Sequence, residues 1–296
     1  MKYSRPRNLP VLCALSLLVS PVWAAYKYAE LRVPGSSMTA ATDINNHGTI
    51  VGYYSNSTGI HGFRLKNGVY KTIDHPLTQE TYIYGISDSG VIVGSYRKLH
   101  RFSGFVLVQG LFVDLNYPQA WEIRPGDVNL AGKIVGTFID QSGNLHSFKW
   151  DDGSFRELKV PHAKFTEAAG INNRDVTSGT WQDSSFGAHG FLLQNYVYTT
   201  MNVLRAEPGT TFLTRMNDFG WMVGDYDDPN LSPLIGFLKK GTAFVKIIYP
   251  NARATHPEGV NNNKVVVGQW IDAHINTRSF IAVPQSQTYV PSALGD

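Results

Sequence analysis

The chain has 296 residues, 26 of them Lys or Arg, 23 Asp or Glu, and a single cysteine. So slight a positive excess leaves no basic surface of the kind that holds a nucleic-acid backbone, and no nucleic-acid partner is expected. One thiol closes no internal disulfide, so stability must come from burial, for which this length is ample if the body is closed.

The first segment predicts export. Lys2, Arg5 and Arg7 form a positive start, Val11 to Val19 is a short apolar run, and Val22-Trp23-Ala24 offers small residues where a signal peptidase would cut. Residues 1–24 are expected to be removed, taking Cys13 and three of the basic residues and leaving a formally neutral mature chain. The run is too short for a stable transmembrane anchor, and no other stretch reaches the 20 or so apolar residues a spanning helix needs. A secreted or periplasmic protein without a membrane anchor is expected, as a monomer.

The alternating stretch Tyr26-Lys27-Tyr28-Ala29-Glu30-Leu31 follows, and then a repeat begins. Its first copy is Ile44-Asn45-Asn46-His47-Gly48-Thr49-Ile50-Val51-Gly52. The closing glycine returns as Gly94, Gly136, Gly179, Gly224 and Gly268, at intervals of 42, 42, 43, 45 and 44 residues. Asn, Asp and Gly supply the left-handed angles of a tight turn and a β-branched run starts the next strand, so each copy reads as a hairpin. Two residues after the glycine stands an aromatic (Tyr54, Tyr96, Phe138, Trp181, Tyr226, Trp270), expected to pack between units. Each full unit reads as four strands, such as Thr39 to Asn45, Thr49 to Tyr54, Gly62 to Lys66 and Val69 to Asp74, with Asn67-Gly68 turning the last hairpin.

A period in the low forties points to a propeller or a solenoid. Six units predict an all-β, six-bladed β-propeller of four-stranded antiparallel blades over residues 25–296. The N-terminal strand is expected to complete the last blade and close the ring, since the sixth copy lacks a clear fourth strand. An open β-solenoid is the alternative, but it would need capping repeats rather than a detached leading strand.

Eleven to thirteen residues after each glycine comes a second signature, as in His61-Gly62-Phe63, His146-Ser147-Phe148 and His189-Gly190-Phe191. The pairing of Asn-Asn-x-Gly-x-Ile-Val-Gly with a downstream His-small-Phe resembles the extracellular HAF repeat family over nearly the whole mature chain. The resemblance implies a secreted repeat protein and carries no catalytic residues. This chain departs from the pattern where the histidine is missing from copies two, five and six, and where copies four and six lack the turn glycine. A structural role repeated in separate blades is expected of the three histidines rather than a shared metal site.

In a propeller, the loops between units and between second and third strands share one face, and they vary most from copy to copy. Four residues before the Ile, Val or Met of each hairpin stand Tyr82, Arg124, Glu167, Phe212 and His256, with Thr39 to Ala41 in the first copy. Two residues further on stand Thr42, Tyr84, Gly126, Ala169, Thr214 and Glu258. Strand residues two apart share a face, so both sets are expected to meet at the mouth of the central channel. The first expectation is a binding protein that recognises a glycan or protein ligand there, with Tyr82, Tyr84, Trp121 and Phe212 as contact residues. The alternative is a lyase or hydrolase acting on a polar small molecule or polysaccharide, with Glu167, Glu258 and His256 as acid and base and Arg124 holding an anion. A plainer possibility is an envelope scaffold whose channel mouth is merely solvated, with Arg124 paired to Glu167.

Asp225 to Asn230 is rich in oxygen donors but lacks the glycine and final glutamate of an EF-hand loop. Neither a nucleophile elbow, a phosphate loop, a dinucleotide fingerprint nor a His-Glu-x-x-His helix occurs, so no metal and no cofactor is expected.

Overall fold

The computed structural model describes residues 26–204 and 206–285; the expected signal segment and Cys13 lie outside them. Each of the first five repeats folds into a four-stranded antiparallel blade whose strands lie side by side in chain order. Blade 1 comprises Met38–Ile44, Ile50–Asn56, Gly59–Lys66 and Val69–Ile73. Its third strand starts three residues earlier than the sequence reading placed it, because Asn56 and Gly59 already pair across a two-residue turn. Asn67 and Gly68 take φ of 49° and 75°, the left-handed pair of a two-residue hairpin turn. The first strands of the other blades are Thr81–Ile86, Ala120–Val128, Phe165–Ile171, Thr211–Met216 and Ala254–Val260. First strands of successive blades touch one another around the whole ring, which places them at the axis.

The sixth blade takes its outer strand from the front of the chain. Tyr26–Leu31 pairs antiparallel with Thr277–Pro284, from Tyr26 opposite Pro284 to Leu31 opposite Ser279. The result is the expected closed six-bladed propeller.

The repeated residues now have physical reasons. The closing glycine faces a backbone carbonyl of the first strand so closely that a β-carbon would sit 1.9 to 2.3 Å from it, as at Gly179 against Glu167 O and Gly136 against Arg124 O. The phenylalanine of the second signature packs over the same glycine, and all six (Phe63, Phe105, Phe148, Phe191, Phe237, Phe280) are fully buried between blades. The aromatics two residues after the glycine join these clusters, Trp181 from a partly buried position. His61, His146 and His189 lie against Tyr54, Phe138 and Trp181, with ring centroids 5.2, 4.8 and 4.6 Å apart. Each also bonds acidic or amide side chains of its own blade, so the histidines have a repeated structural role. In blade 6 Arg278 takes that place, over Trp270 and bonded to Asp272. Where the turn glycine is missing, Asp175 and Lys264 adopt its left-handed backbone, at φ 63° and 61°.

Every first strand carries a β-bulge at Thr42, Tyr84, Gly126, Ala169, Thr214 or Glu258. The next residue reaches the axis, and around the ring these are Asp43, Gly85, Asp127, Gly170, Arg215 and Gly259. Large and small alternate because each glycine makes room for the following blade. A β-carbon at Gly85 would lie 2.8 Å from Asp127 Cα, one at Gly170 2.9 Å from Arg215 Cγ, and one at Gly259 2.9 Å from Asp43 Cα.

The Arg215 guanidinium spans the channel. It donates to the bulge carbonyls of Thr42 (3.1 Å), Tyr84 (2.8 Å), Gly126 (2.7 Å) and Glu258 (3.4 Å), which belong to four other blades. Its Nε lies 3.6 Å from Asp43 Oδ1 and 3.4 Å from Asp127 Oδ2. The two carboxylates in turn accept from the backbone N–H of Ile86 and Ile171 on the next blades.

Below Arg215 the channel is bridged by amides. Asn45, Asn129, Asn172, Asn217 and Asn261 each accept an N–H of their own turn on Oδ1. Each donates Nδ2 to a carbonyl of the next blade at 2.8 to 3.4 Å. This double use explains asparagine at this position in five of the six repeats; in the second repeat Ser87 accepts the turn N–H of Val91 on its hydroxyl instead. Beneath them Asp88 and Asp218 share the amides of Asn46 and Asn173. The channel is therefore blind, open only on the face with the variable loops.

Three outcomes follow from this architecture. Gly224→Ala should destabilise the fold by at least ~2 kcal/mol, since the new methyl meets a carbonyl 2.0 Å away that cannot move without the bulge. Lys264→Gly should stabilise it by about 0.5–1 kcal/mol by relieving a left-handed non-glycine backbone; chemical denaturation measures both. Burial, partly offset by Arg215, lifts Asp127 to about 7, against about 3.9 in an unfolded chain. The folded state keeps a proton that the unfolded chain gives up, so this contribution is full below about pH 4 and is lost as pH rises toward 7. The melting temperature should accordingly be higher at pH 5 than at pH 8 by a margin that shrinks in Asp127→Asn. An undiminished margin would remove Asp127 from the explanation.

Candidate functional site

Above Arg215 the bulges open the channel into a pocket of about 420 Å³. The second sequence-derived set meets there with part of the first. Arg124 and Glu167 from the first set and Thr42, Tyr84, Gly126, Ala169, Thr214 and Glu258 from the second line its wall. A second cavity of about 400 Å³ shares Glu167 and Glu258 and adds His256 and Phe212. The four charged candidates thus border one connected region, in which Glu167 and Glu258 belong to both parts.

Two of the expected contact residues stand apart. Tyr82 packs edge-on against Tyr53, ring centroids 5.1 Å apart, and its hydroxyl donates to Glu80, so it supports the wall from behind. Trp121 lines neither cavity; it is 47% exposed and the Arg101 guanidinium lies 3.9 Å above its ring. Arg124 does not pair with Glu167. Its Nη2 binds Glu122 at 3.1 Å and its guanidinium lies 4.1 Å over Phe102, because Glu122 is two residues away on the same strand and face.

The pocket also contains residues that sequence reasoning missed: Arg215 as floor, Glu122 beside Arg124, and Tyr53, Asp225 and Gln269 from the second strands. Tyr53, Asp225 and Gln269 share one signal. Each directly follows a closing glycine and pairs in register with a first-set residue: Ala40 with Tyr53, Phe212 with Asp225, His256 with Gln269.

The electrostatics are acidic. Glu258 is enclosed by protein, and burial, countered by Arg215 and reinforced by Asp225, pushes its carboxyl up to about 7. Among the described residues its side chain accepts one hydrogen bond, from Gln269 Nε2 at 3.4 Å. Glu167 meets water inside the pocket, yet protein surrounds it on most sides and raises its carboxyl too. His256 Nδ1 lies 3.1 Å from Asp225 Oδ2, a hydrogen bond that raises the imidazole and orients its other nitrogen. Burial pushes the Tyr53 phenol up to about 12 and the Tyr84 phenol upward as well. Both therefore stay neutral donors at ordinary pH. The site can donate and accept hydrogen bonds from every side, supply a proton near neutrality, and offer negative charge.

Elsewhere the acidic loop residues act locally. Asp140, Asp183 and Asp272 cap their own turns, and Asp228 accepts from Lys246 Nζ at 2.8 Å. Among the described residues, no group of three or more His, Cys, Asp or Glu side chains is arranged to hold a metal.

No family model and no curated protein matches the chain. Solved structures do resemble it. The fungal lectin of Aleuria aurantia, a six-bladed β-propeller with a fucose recognition mode, superposes with a TM-score of 0.51 at 9% identity, covering 88% of this chain and 99% of the lectin. TolB from Acinetobacter baumannii gives 0.52 at 11% identity over 84% of this chain and 64% of TolB. Virginiamycin B lyase from Staphylococcus aureus, in a catalytically inactive variant with quinupristin, gives 0.50 at 10% identity over 87% and 99%. At such identities the likeness speaks to the fold alone.

Proposed function

We propose that the protein is an exported β-propeller that binds a glycan or protein ligand on its variable face, with the blind hub pocket as the recognition point. One observation carries this. The closing glycine and the buried phenylalanine that pack each blade recur in all six repeats, yet at the position four before the hairpin the residue differs in every blade: Ala40, Tyr82, Arg124, Glu167, Phe212 and His256. Positions that only close a ring have no need to differ; positions that read one asymmetric ligand do. The pocket's size suits one monosaccharide unit or side chain, and lectins among the propellers of like fold are consistent with it. Export is the same proposal's second half, supported by the signal-like first 24 residues and by the signature that resembles the HAF repeat.

A catalytic reading has one observation in its favour, the His256–Asp225 hydrogen bond beside a Glu258 carboxyl that titrates near 7. That set would serve acid–base chemistry. If Glu258 acts as the acid, turnover falls as pH rises through about 7.

Glycan and peptide arrays test the proposal. Binding without conversion of the ligand is expected, weakened at least ~tenfold, about 1.4 kcal/mol, by Phe212→Ala and by Glu258→Gln. Trp121→Ala, outside the pocket, should leave it within about twofold. Binding that survives both pocket substitutions would place the ligand elsewhere. Product formation abolished by Asp225→Asn would favour the enzyme.

A further inference from the structure

Both cations that border the hub pocket are already committed. Arg124 pairs with Glu122 at 3.1 Å, and Arg215 directs its terminal N–H groups at four backbone carbonyls from below. The carboxylates are in the opposite condition. Glu258 holds only the 3.4 Å contact from Gln269, and Glu167 has no side-chain hydrogen bond or ion pair among the described residues. The wall beside Glu258 is aromatic. Tyr53 and Tyr84 meet edge to face at 6.5 Å, and both line the pocket with Thr42 and Gln269. An anionic ligand would have to displace an existing ion pair or a carbonyl contact to find a partner, whereas a positive group would find two carboxylates outside any ion pair among the described residues, beside two phenol rings. Carboxylate and ring faces together are the environment in which alkylammonium groups are held.

From this pocket we propose that the ligand unit bound at the hub carries an ammonium group, as in an amino sugar or a quaternary amine, rather than being neutral or acidic. The inference rests on the hub pocket being the binding site. Charged and titratable groups facing Glu258 are Arg215 from below, Asp225 and His256 from blades 5 and 6, Glu167 across the pocket, and Tyr53 from blade 1. A bound cation favours the ionised carboxylate, so cation affinity should rise with pH through the range in which Glu258 loses its proton. His256 loses positive charge over a neighbouring range and acts in the same direction.

The experiment is titration calorimetry on the mature protein with four probes: choline, whose charge does not vary with pH; the trimer of glucosamine; its fully N-acetylated form; and glucuronate. Choline and the amine trimer should bind, the other two at least ~tenfold more weakly. Choline affinity should rise about tenfold between pH 6 and pH 8 as a carboxyl near 7 ionises. Glu258→Gln should cost about tenfold at pH 8 and little at pH 6, Glu167→Gln should weaken binding at both, and Glu30→Gln on the outer strand of blade 6 should change nothing. Tighter binding of the amine trimer than of choline would identify an amino sugar as the source, and the reverse a quaternary amine. Equal or tighter binding of the acetylated trimer or of glucuronate would overturn the ammonium assignment while leaving the hub as a binding site. Failure of both cations to bind at millimolar concentration, or binding indifferent to both Gln substitutions, would overturn it as well. Array binding that also ignored Phe212→Ala would then end the hub proposal itself.

Discussion

The structure depends on one irregularity repeated six times: the bulge in the strand nearest the axis. In a regular strand, alternate side chains face alternate sides, and an inner strand would present the channel with one row of residues. The extra residue breaks that alternation and twists the strand. The bulged residue itself lines the pocket, and the next one turns onto the axis beneath it. Pocket and floor are thus built from adjacent residues, Thr214 and Arg215 in blade 5, Glu258 and Gly259 in blade 6. The bulge also aims the carbonyl that makes glycine obligatory in the facing strand, so the most regular feature of the sequence and the most irregular feature of the backbone are one constraint.

Much of this was legible in the chain. Glycine spacing gave the number of blades, Asn, Asp and Gly residues gave the turns, and the orphan stretch Tyr26 to Leu31 gave the closure, because these depend on local geometry that residue type reports directly. The convergence of Glu167, Glu258, Arg124 and Tyr84 was legible for a different reason. Blades related by a common axis bring equivalent positions together whatever the residues are. Arg215 was not legible: strict alternation sends it to the side opposite Thr214, into the space between blades, and no residue type announces a bulge. Tyr53, Asp225 and Gln269 were less legible, because a second-strand residue reaches the pocket through its register with the first strand, which residue type does not report. The alternative of an Arg124–Glu167 pair is not met because Glu122, two residues away on the same strand, is the nearer partner.

The histidines show how a repeated residue separates support from recognition. His61, His146 and His189 recur at one position of the repeat, and each lies against its blade's aromatic and bonds polar side chains of its own blade. His256 is outside the signature, occurs once, and is the histidine that borders the pocket with an aspartate behind it. The repeated histidines support their own blades, whereas the unrepeated His256 lines the pocket.

The alternation at the axis limits how such a molecule could change size. Each glycine accommodates the bulky neighbour on the following blade, so the pattern of large then small closes on itself only when the number of blades is even. Inserting or losing a single repeat would set two bulky residues against each other or leave two glycines facing an empty gap. Lineages of this architecture should therefore grow or shrink by pairs of blades, making the two-blade unit, rather than the single repeat, the heritable building block.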